Sequence, residues 1–595
     1  MPDPANHPPK PALCYRLGVA GTRDLNAPPP LLQQRVGELL DLVKDRTYAI
    51  WRECPQYFSA GHPRLMLLCS LAKGVDLLVA QLACERGWEL HVPLAYDRQT
   101  YAHKNFGTHD AGERAAFHAM LERATAVLEL DGEAEAKEDN AYDVAGSVLV
   151  THSDALLAIW DFGSGKGKGG TADSVGKAEL AGLPVIRMKP DDPGNDPSFG
   201  DLKRIVRGQL LLGIESRGDF PETPTIRRER KRLLTYYNEV DRRVDWGFAY
   251  RWANVAIALK RRKHMKMLPF REAANHNWCR TKDESFRDVA RAYFKPFDQW
   301  ADGLAVFYAN WTRSVVVVTL FVGALLLIYA LSLKLWPDLG RNYGLAIPDG
   351  LFAILLTGLV VHARMAKARE KWLAYRMLSE FLRNSSLASA IGGLQPPHSR
   401  FHEPSKVAET WVFFYLQSVV RAMGLPSVRF DAAYLADFRA MLAARIGSQI
   451  RFHNDRRIWY GKIEWRIRRI GFCIFLISLT GAVLQVATVL IPNLAKYLPW
   501  DNLPENLSRV SLVLPVFGAA LVAYGAQESF GRLARLSGAI VRRLENISNK
   551  LDQAPLPMRS ATMRDATSEA IDEMMREHEE WFVLYSMREI GFPGA

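Results

Sequence analysis

Hydrophobic positions along the chain follow two regimes, and the change comes near residue 310. Up to about residue 190, short apolar runs alternate with segments of helical periodicity. The runs are Cys14–Val19, Leu65–Cys69, Glu89–Pro93, Ala126–Leu130, Ala155–Trp160 and Pro184–Met188. Each is nearly continuous rather than alternating, as parallel strands covered on both faces require. Helical stretches such as Val75–Glu85 and Ala172–Ala181 lie between them. This alternation predicts a doubly wound α/β, Rossmann-like domain over residues 13–190, with ligands at the carboxyl ends of its strands. A disordered lead-in is expected over residues 1–12.

Beyond residue 310 the apolar runs become long enough to cross a bilayer. Ser314–Leu333 is uncharged throughout and is bracketed by Arg313 and Lys334, while Ile470–Leu494 follows the basic Arg466-Ile467-Arg468-Arg469. Two weaker runs read as their return spans: Tyr343–Val361, with Asp349 near its start, and Val510–Gln527, which contains Pro515. The expectation is an all-α membrane region of four transmembrane helices in two hairpins, 314–333 with 343–361 and 470–494 with 510–527. The hairpins and their cytoplasmic helical extensions occupy 313–390 and 470–552. A helical linker over 191–312, a helical segment over 391–469 and a closing helix over 553–595 complete the chain.

Charge orients the spans. Arg364, Lys367, Arg369 and Lys371 follow the second run, and Arg532, Arg535, Arg542 and Arg543 follow the fourth. The two hairpin loops carry cations and carboxylates that cancel. The positive-inside rule therefore predicts a multi-pass protein with both termini and all large segments in the cytoplasm. These flanks account for much of the net charge of +12, so no nucleic-acid polymer is expected as a partner. The six cysteines show neither a CxxC pair nor metal-ligand spacing, which predicts reduced thiols and no metal site. Gln485, in mid-span, is a pore candidate, with interhelical hydrogen bonding as its plainer role. The spans hold no Lys or Arg and no proton relay, which disfavours a transporter.

Candidate chemistry sits in three loops at strand ends. The first is Gly18-Val19-Ala20-Gly21-Thr22-Arg23, where glycines permit a tight turn and Arg23 can meet a phosphate. The second, Ser70-Leu71-Ala72-Lys73-Gly74-Val75-Asp76, brings small residues and a cation to a helix N-terminus. The third runs from Gly163 to Asp173 and supplies Lys166, Lys168, Gly169, Gly170 and Thr171 before a helix. Its spacing does not fit a Walker A loop. Three such loops on one sheet edge favour a phosphate-bearing ligand over solvated loops. The ligand-binding set is Gly18, Gly21, Thr22, Arg23, Ser70, Lys73, Gly74, Asp76, Lys168, Gly169, Gly170 and Thr171.

The order of the GVAGTR opening, the Ser70–Asp76 loop, the Pro93-Leu94-Ala95-Tyr96 strand end and the GGTADSVGKAELAGLPVI segment resembles the SLOG superfamily over about residues 13–190. That superfamily includes cytokinin-activating LOG hydrolases, the DNA-processing protein of transformation and nucleotide-sensing domains. The membrane half is similar to the SLATT group of helical hairpins, through each hairpin and its cytoplasmic extension. Together these resemblances imply a sensor of a nucleotide second messenger, of cyclic-oligonucleotide or ADP-ribose type. They also imply a homo-oligomeric, pore-forming or membrane-disrupting effector of antiviral defence in a bacterial inner membrane. LOG hydrolases carry PGGxGTxxE, whose glutamate serves glycosidic cleavage; here that position is Ser174, so binding without catalysis and without a cofactor is expected. The alternatives are a membrane-tethered nucleotide hydrolase of LOG type and a transporter.

The topology makes a direct prediction. Cysteines introduced near Asn342 and Asn502 should react with an impermeant maleimide added to intact cells. Labelling near Gly392 would overturn the two-hairpin arrangement.

Overall fold

The computed structural model describes residues 6–23, 25, 29–107, 110–132, 138–163, 169–193, 201–216, 222–240, 247–258, 286–335, 354, 357–358, 361–362, 367–393, 410–491 and 503–586. All six expected strands form: β1 (Cys14–Gly21), β2 (Arg64–Leu68), β3 (Glu89–Leu94), β4 (Ala126–Glu129), β5 (Ala155–Ile159) and β6 (Val185–Met188). They pair in parallel in the order β6-β5-β1-β2-β3-β4, and β7 (Val428–Arg429) adds beyond β4. Strand order reverses between β1 and β5, which is the switch point where doubly wound sheets leave a crevice at their carboxyl ends.

The connections alternate in the expected way. Helices α1 (Pro30–Glu53), α2 (Val75–Glu85), α3 (Arg98–Asn105) and α4 (Ala111–Arg123) link β1 through β4. Helices α5 (Glu138–Thr151) and α6 (Thr171–Leu180) flank β5. The pleat sends Tyr15, Leu17 and Val19 into one core, with Leu39 and Val79 of α1 and α2. Cys14, Met66, Leu156 and Ala158 enter a second core, with Leu149 and Val175 of α5 and α6.

The helical remainder begins with α7 (Leu202–Leu210), α8 (Pro224–Tyr237) and α9 (Phe248–Ala258). Thr223 starts α8 by accepting from the Ile226 amide, with Pro224 in the first turn. Next come α10 (Phe286–Leu335), α11 (Ala368–Ser389), α12 (Trp411–Met423), α13 (Ala432–Leu490), α14 (Leu503–Glu528), α15 (Phe530–Gln553) and α16 (Ser560–Ser586).

Among the described residues three helices are long and apolar enough to cross a membrane: α10 and α14 contain the expected runs 314–333 and 510–527, and α13 carries the run expected from 470 as far as Leu490. Helix α14 passes through Pro515 without interruption. Of the second expected run, 343–361, only isolated positions lie among the described residues, so that span stays an expectation.

Two features add to the sequence reading. The lead-in is held from His7 onward: Ser59 donates to the Pro11 carbonyl (2.9 Å), Tyr415 to that of Pro9 (2.6 Å), and the His7 ring meets the Glu239 carbonyl (2.9 Å). These long-range partners supply the order that local composition does not. The segment 391–469, expected to be helical, also contributes the strand β7, and its helix α12 covers the second core with Ala422. Phe430 donates to the Glu129 carbonyl (2.8 Å), and Asp431 then caps α13 by accepting from Tyr434 (2.8 Å).

Buried charge fastens these layers together. Asp154, before β5, accepts from Arg16 of β1 (3.2 Å) and Arg421 of α12 (2.8 Å), all three side chains being buried. Glu239, also buried, accepts from Tyr308 of α10 (2.8 and 2.9 Å) and Tyr375 of α11 (3.1 Å), and Lys371 lies at 2.7 Å. Arg313, at the start of the first span, lies over the rings of Tyr250 (5.0 Å) and Trp372 (4.8 Å) and 4.0 Å from Glu528.

Burial raises the Asp154 pKa, but Arg16 and Arg421 outweigh it and hold the carboxyl below its usual range. A depressed carboxylate stabilises the fold above its unfolded pKa, and this contribution is lost as pH falls through the folded one. Arg421→Ala leaves Asp154 half compensated and should cost about 3–5 kcal/mol. The check is the thermal transition of the full-length protein: a clear loss at neutral pH that shrinks in acid. Equal transitions would contradict the anchoring role.

Candidate functional site

The first two loops interlock at the switch point. Thr22 donates its amide to the Ile159 carbonyl (2.9 Å) and accepts from Val75 (3.2 Å), joining the ends of β1 and β5 to the start of α2. Gly74 has φ +84°, and a Cβ there would lie 2.7 Å from the Thr22 carbonyl oxygen. Glycine is required on both counts. A Cβ on Gly21 would meet Val75 at 2.3 Å. Gly18 lies back along the strand, packed on Ser153, and so supports the sheet rather than its edge.

Asp76 is buried below this junction and accepts from the Ala72 amide at 3.3 Å. Burial pushes its carboxyl up to about 7, against the pull of the Ala72 amide and of Arg23. Leu71 stands in the left-handed region (φ 55°), with its amide on the Cys69 sulfur at 3.4 Å. A buried branched residue in that conformation costs roughly 1–3 kcal/mol, supplied by the packing around it. Ser70, half-buried, begins the turn.

The third loop joins through a residue that sequence reasoning missed. Tyr142 of α5 carries the Arg23 guanidinium over its ring at 5.0 Å. Gly169, φ +81°, approaches the Tyr142 backbone so closely that a Cβ would lie 2.6 Å from its carbonyl carbon. The Gly169 amide donates to Asp173 (2.9 Å), and Gly170 then leads into α6 with no side-chain cap on the helix amides. Thr171 is the first helical residue. Thus Gly21, Thr22, Arg23, Gly74, Asp76, Gly169, Gly170 and Thr171 form one neighbourhood around Tyr142. Lys168 lies outside the described residues.

Among the described residues, two lysines of this edge are already engaged. Lys73 pairs with Asp110 at 3.4 Å, and Lys177 pairs with Asp143 (2.5 Å) and Asp173 (2.8 Å). Neither Asp110 nor Lys177 was foreseen: nothing local marks Asp110, 37 residues from Lys73, or Asp143, 34 residues from Lys177. A phosphate arriving here must compete with carboxylates for these ammonium groups. Ser174 is buried with Gly146 of α5 beside it, behind the helix start rather than on the rim.

Farther along the same edge, Asp131 after β4 accepts from the Ser560 amide (2.7 Å) and hydroxyl at the start of α16. Arg564 of that helix has its pKa lowered by burial, against the raising influence of Asp565, Asp131 and Asp143. The C-terminal helix therefore abuts the sheet edge that carries the candidate site. Gln485 is half-buried in α13, where its carbonyl accepts from the Thr488 hydroxyl (2.8 Å). Among the described residues no cluster of His, Cys, Asp and Glu has metal-binding geometry.

Compared with protein-family models and with curated proteins, the chain matches none.

The raised Asp76 pKa gives a signed test. The folded protein holds this proton more tightly than the unfolded chain, so stability should fall as pH rises from about 4 towards 7. Asp76→Asn removes that slope while keeping an acceptor for the Ala72 amide. Relative to wild type, the variant should gain about 2–3 kcal/mol between pH 5 and pH 8, read from paired thermal transitions. Parallel profiles would mean that Asp76 does not titrate in this window.

Proposed function

We propose that the chain is a membrane effector controlled by a nucleotide second messenger, with its ligand at the carboxyl edge between β1 and β5. The observation that carries this reading is the convergence of Gly21–Arg23, Gly74 and Gly169–Thr171 around Tyr142 at the switch point, where the uncapped N-terminus of α6 offers amides to an anion. Arg23 supplies a guanidinium and Tyr142 an aromatic face. The SLOG and SLATT resemblances point the same way, towards a cyclic-oligonucleotide or ADP-ribose-type ligand in bacterial antiviral defence. Long helices suited to spanning a bilayer supply the effector half.

In this proposal, binding shifts an existing equilibrium between closed and open arrangements of a homo-oligomer in the inner membrane. The ligand does so only through its differential affinity for the two. Asp131 and Ser560 give the edge a direct mechanical connection to α16, which packs on α11 and α15. Pore formation and general membrane disruption are both outcomes of such a shift.

Arg23→Ala should remove a charge-assisted contact worth roughly 1.5–3 kcal/mol and weaken ligand binding by about ten- to a hundredfold. Lys73→Ala should act in the same direction but less, because Asp110 already compensates that ammonium group. The check uses a thermal-shift panel of cyclic oligonucleotides and ADP-ribose, with dye release from liposomes holding the same full-length variants. Unchanged binding in Arg23→Ala would remove the ligand site from this edge. Binding without ligand-dependent release would leave a sensor and refute the gating.

A further inference from the structure

A cavity of about 340 Å³ opens where the last span meets its helical extension, away from the sheet edge. One wall is α13, through Glu464, Ile467 and Arg468. The other is the junction of α14 and α15, which contributes Val522, Ala526, Arg532 and Arg535. Its position follows from the chain geometry. Ser529 adopts a left-handed conformation (φ 52°) that offsets α15 from α14, and its hydroxyl turns back to the Ala526 carbonyl (3.2 Å). Gly525 and Gly531 draw the helices together on either side: a Cβ would lie 3.1 Å from Ile467 at the first and 3.2 Å from the Glu464 carboxyl at the second. The hollow remains between these two close approaches.

The lining is divided by chemistry. Ile467, Val522, Gly525 and Ala526 make an uncharged floor, while Arg468, Arg532 and Arg535 set three cations against one carboxylate. Glu464 is taken by Arg468 at 2.7 Å. Arg532 and Arg535 are exposed and have no ion pair with an acid among the described residues. Directly beyond the cavity, α13 exposes Ile470, Phe472, Phe475 and Leu476, the start of its apolar surface. The cations thus stand at the level where the apolar helix surface begins, and the floor is continuous with that surface.

The geometry points to a binding site for the phosphodiester headgroup of an anionic phospholipid, with the guanidinium groups of Arg532 and Arg535 on the phosphate and the acyl chains running down α13 and α14. Planar guanidinium groups suit phosphate oxygens, and a basic recess between spans at the bilayer surface is the arrangement that holds anionic headgroups. An uncharged floor suits the glycerol and upper acyl carbons, which a free phosphate lacks. This inference rests on α13 and α14 being membrane spans and is independent of the ligand at the sheet edge.

The test is native mass spectrometry of the full-length protein released from nanodiscs of phosphatidylglycerol or of phosphatidylcholine. Wild type should retain phosphatidylglycerol and not phosphatidylcholine. Arg532→Ala with Arg535→Ala should retain at least tenfold less, and Ala526→Phe, which fills the hollow and keeps every charge, should lose it as well. Arg542→Ala, an exposed cation of α15 outside the cavity lining, should behave as wild type, and matching thermal transitions would show that the variants fold. Unchanged retention in the double variant, equal retention of phosphatidylcholine, or full retention by Ala526→Phe would each overturn the site. Displacement of the lipid by millimolar inorganic phosphate would assign the cavity to a soluble phosphate instead.

Discussion

Asp154 sits between Arg16 of the inner strand β1 and Arg421 of a helix that belongs, in sequence, to the stretch between the expected membrane spans. A carboxylate buried this deeply is stable only when its charge is met, and here two guanidinium groups meet it. Everything that follows Arg421 in the chain inherits this anchor. Seven residues on, Val428 and Arg429 join the sheet, and from Asp431 a single helix of 59 residues departs, its far part long and apolar enough to cross a membrane. At 1.5 Å per residue that helix is about 88 Å long, so the sheet and the apolar end of the helix belong to one rod rather than to domains on a flexible tether.

The same logic recurs at two further points. Glu239 gathers Tyr308, Lys371 and Tyr375, and thereby locks the helix entering the first span to α11 beside it. Arg313 and Glu528 face each other where the first described span begins and the last one ends, with Tyr250 and Trp372 stacked on the guanidinium. Each lock is a buried or shielded charge whose partners come from distant segments, so none can shift without exposing an uncompensated group. In the proposed mechanism this makes switching a movement between discrete packings, not a gradual flexing.

Periodicity revealed the elements that bury an extended apolar surface. All six strands of the α/β core were legible because each is a short, mostly apolar run lying between helical or turn segments, even where Arg16, His91, Glu129 or Arg187 interrupts it. The long spans were legible for the same reason. The seventh strand was not, because two residues inside a helical segment carry no period. The docking of residues 7–12 was equally hidden, since its partners lie as far as 406 positions away. At the candidate site, the glycines of the three loops were visible as motifs, and the close approaches at Gly74 and Gly169 give their physical reason. Tyr142 left no such signal: it is an aromatic residue in an ordinary helix until the fold brings Arg23 and Gly169 to it. The engagement of Lys73 by Asp110 shows the converse limit, that a cation in a loop motif is not thereby a free one.

The central claim is that ligand at the sheet edge is felt by the membrane helices through rigid elements. Hydrogen–deuterium exchange on the full-length protein in nanodiscs, with and without each member of a nucleotide panel, tests it most directly. The account predicts that one ligand class protects peptides covering residues 17–25, 70–76 and 169–175. It also predicts that the same ligand alters exchange at the start of α16 and across the α14–α15 junction. Protection confined to the sheet edge, or changes at the junction with none at the edge, would contradict it.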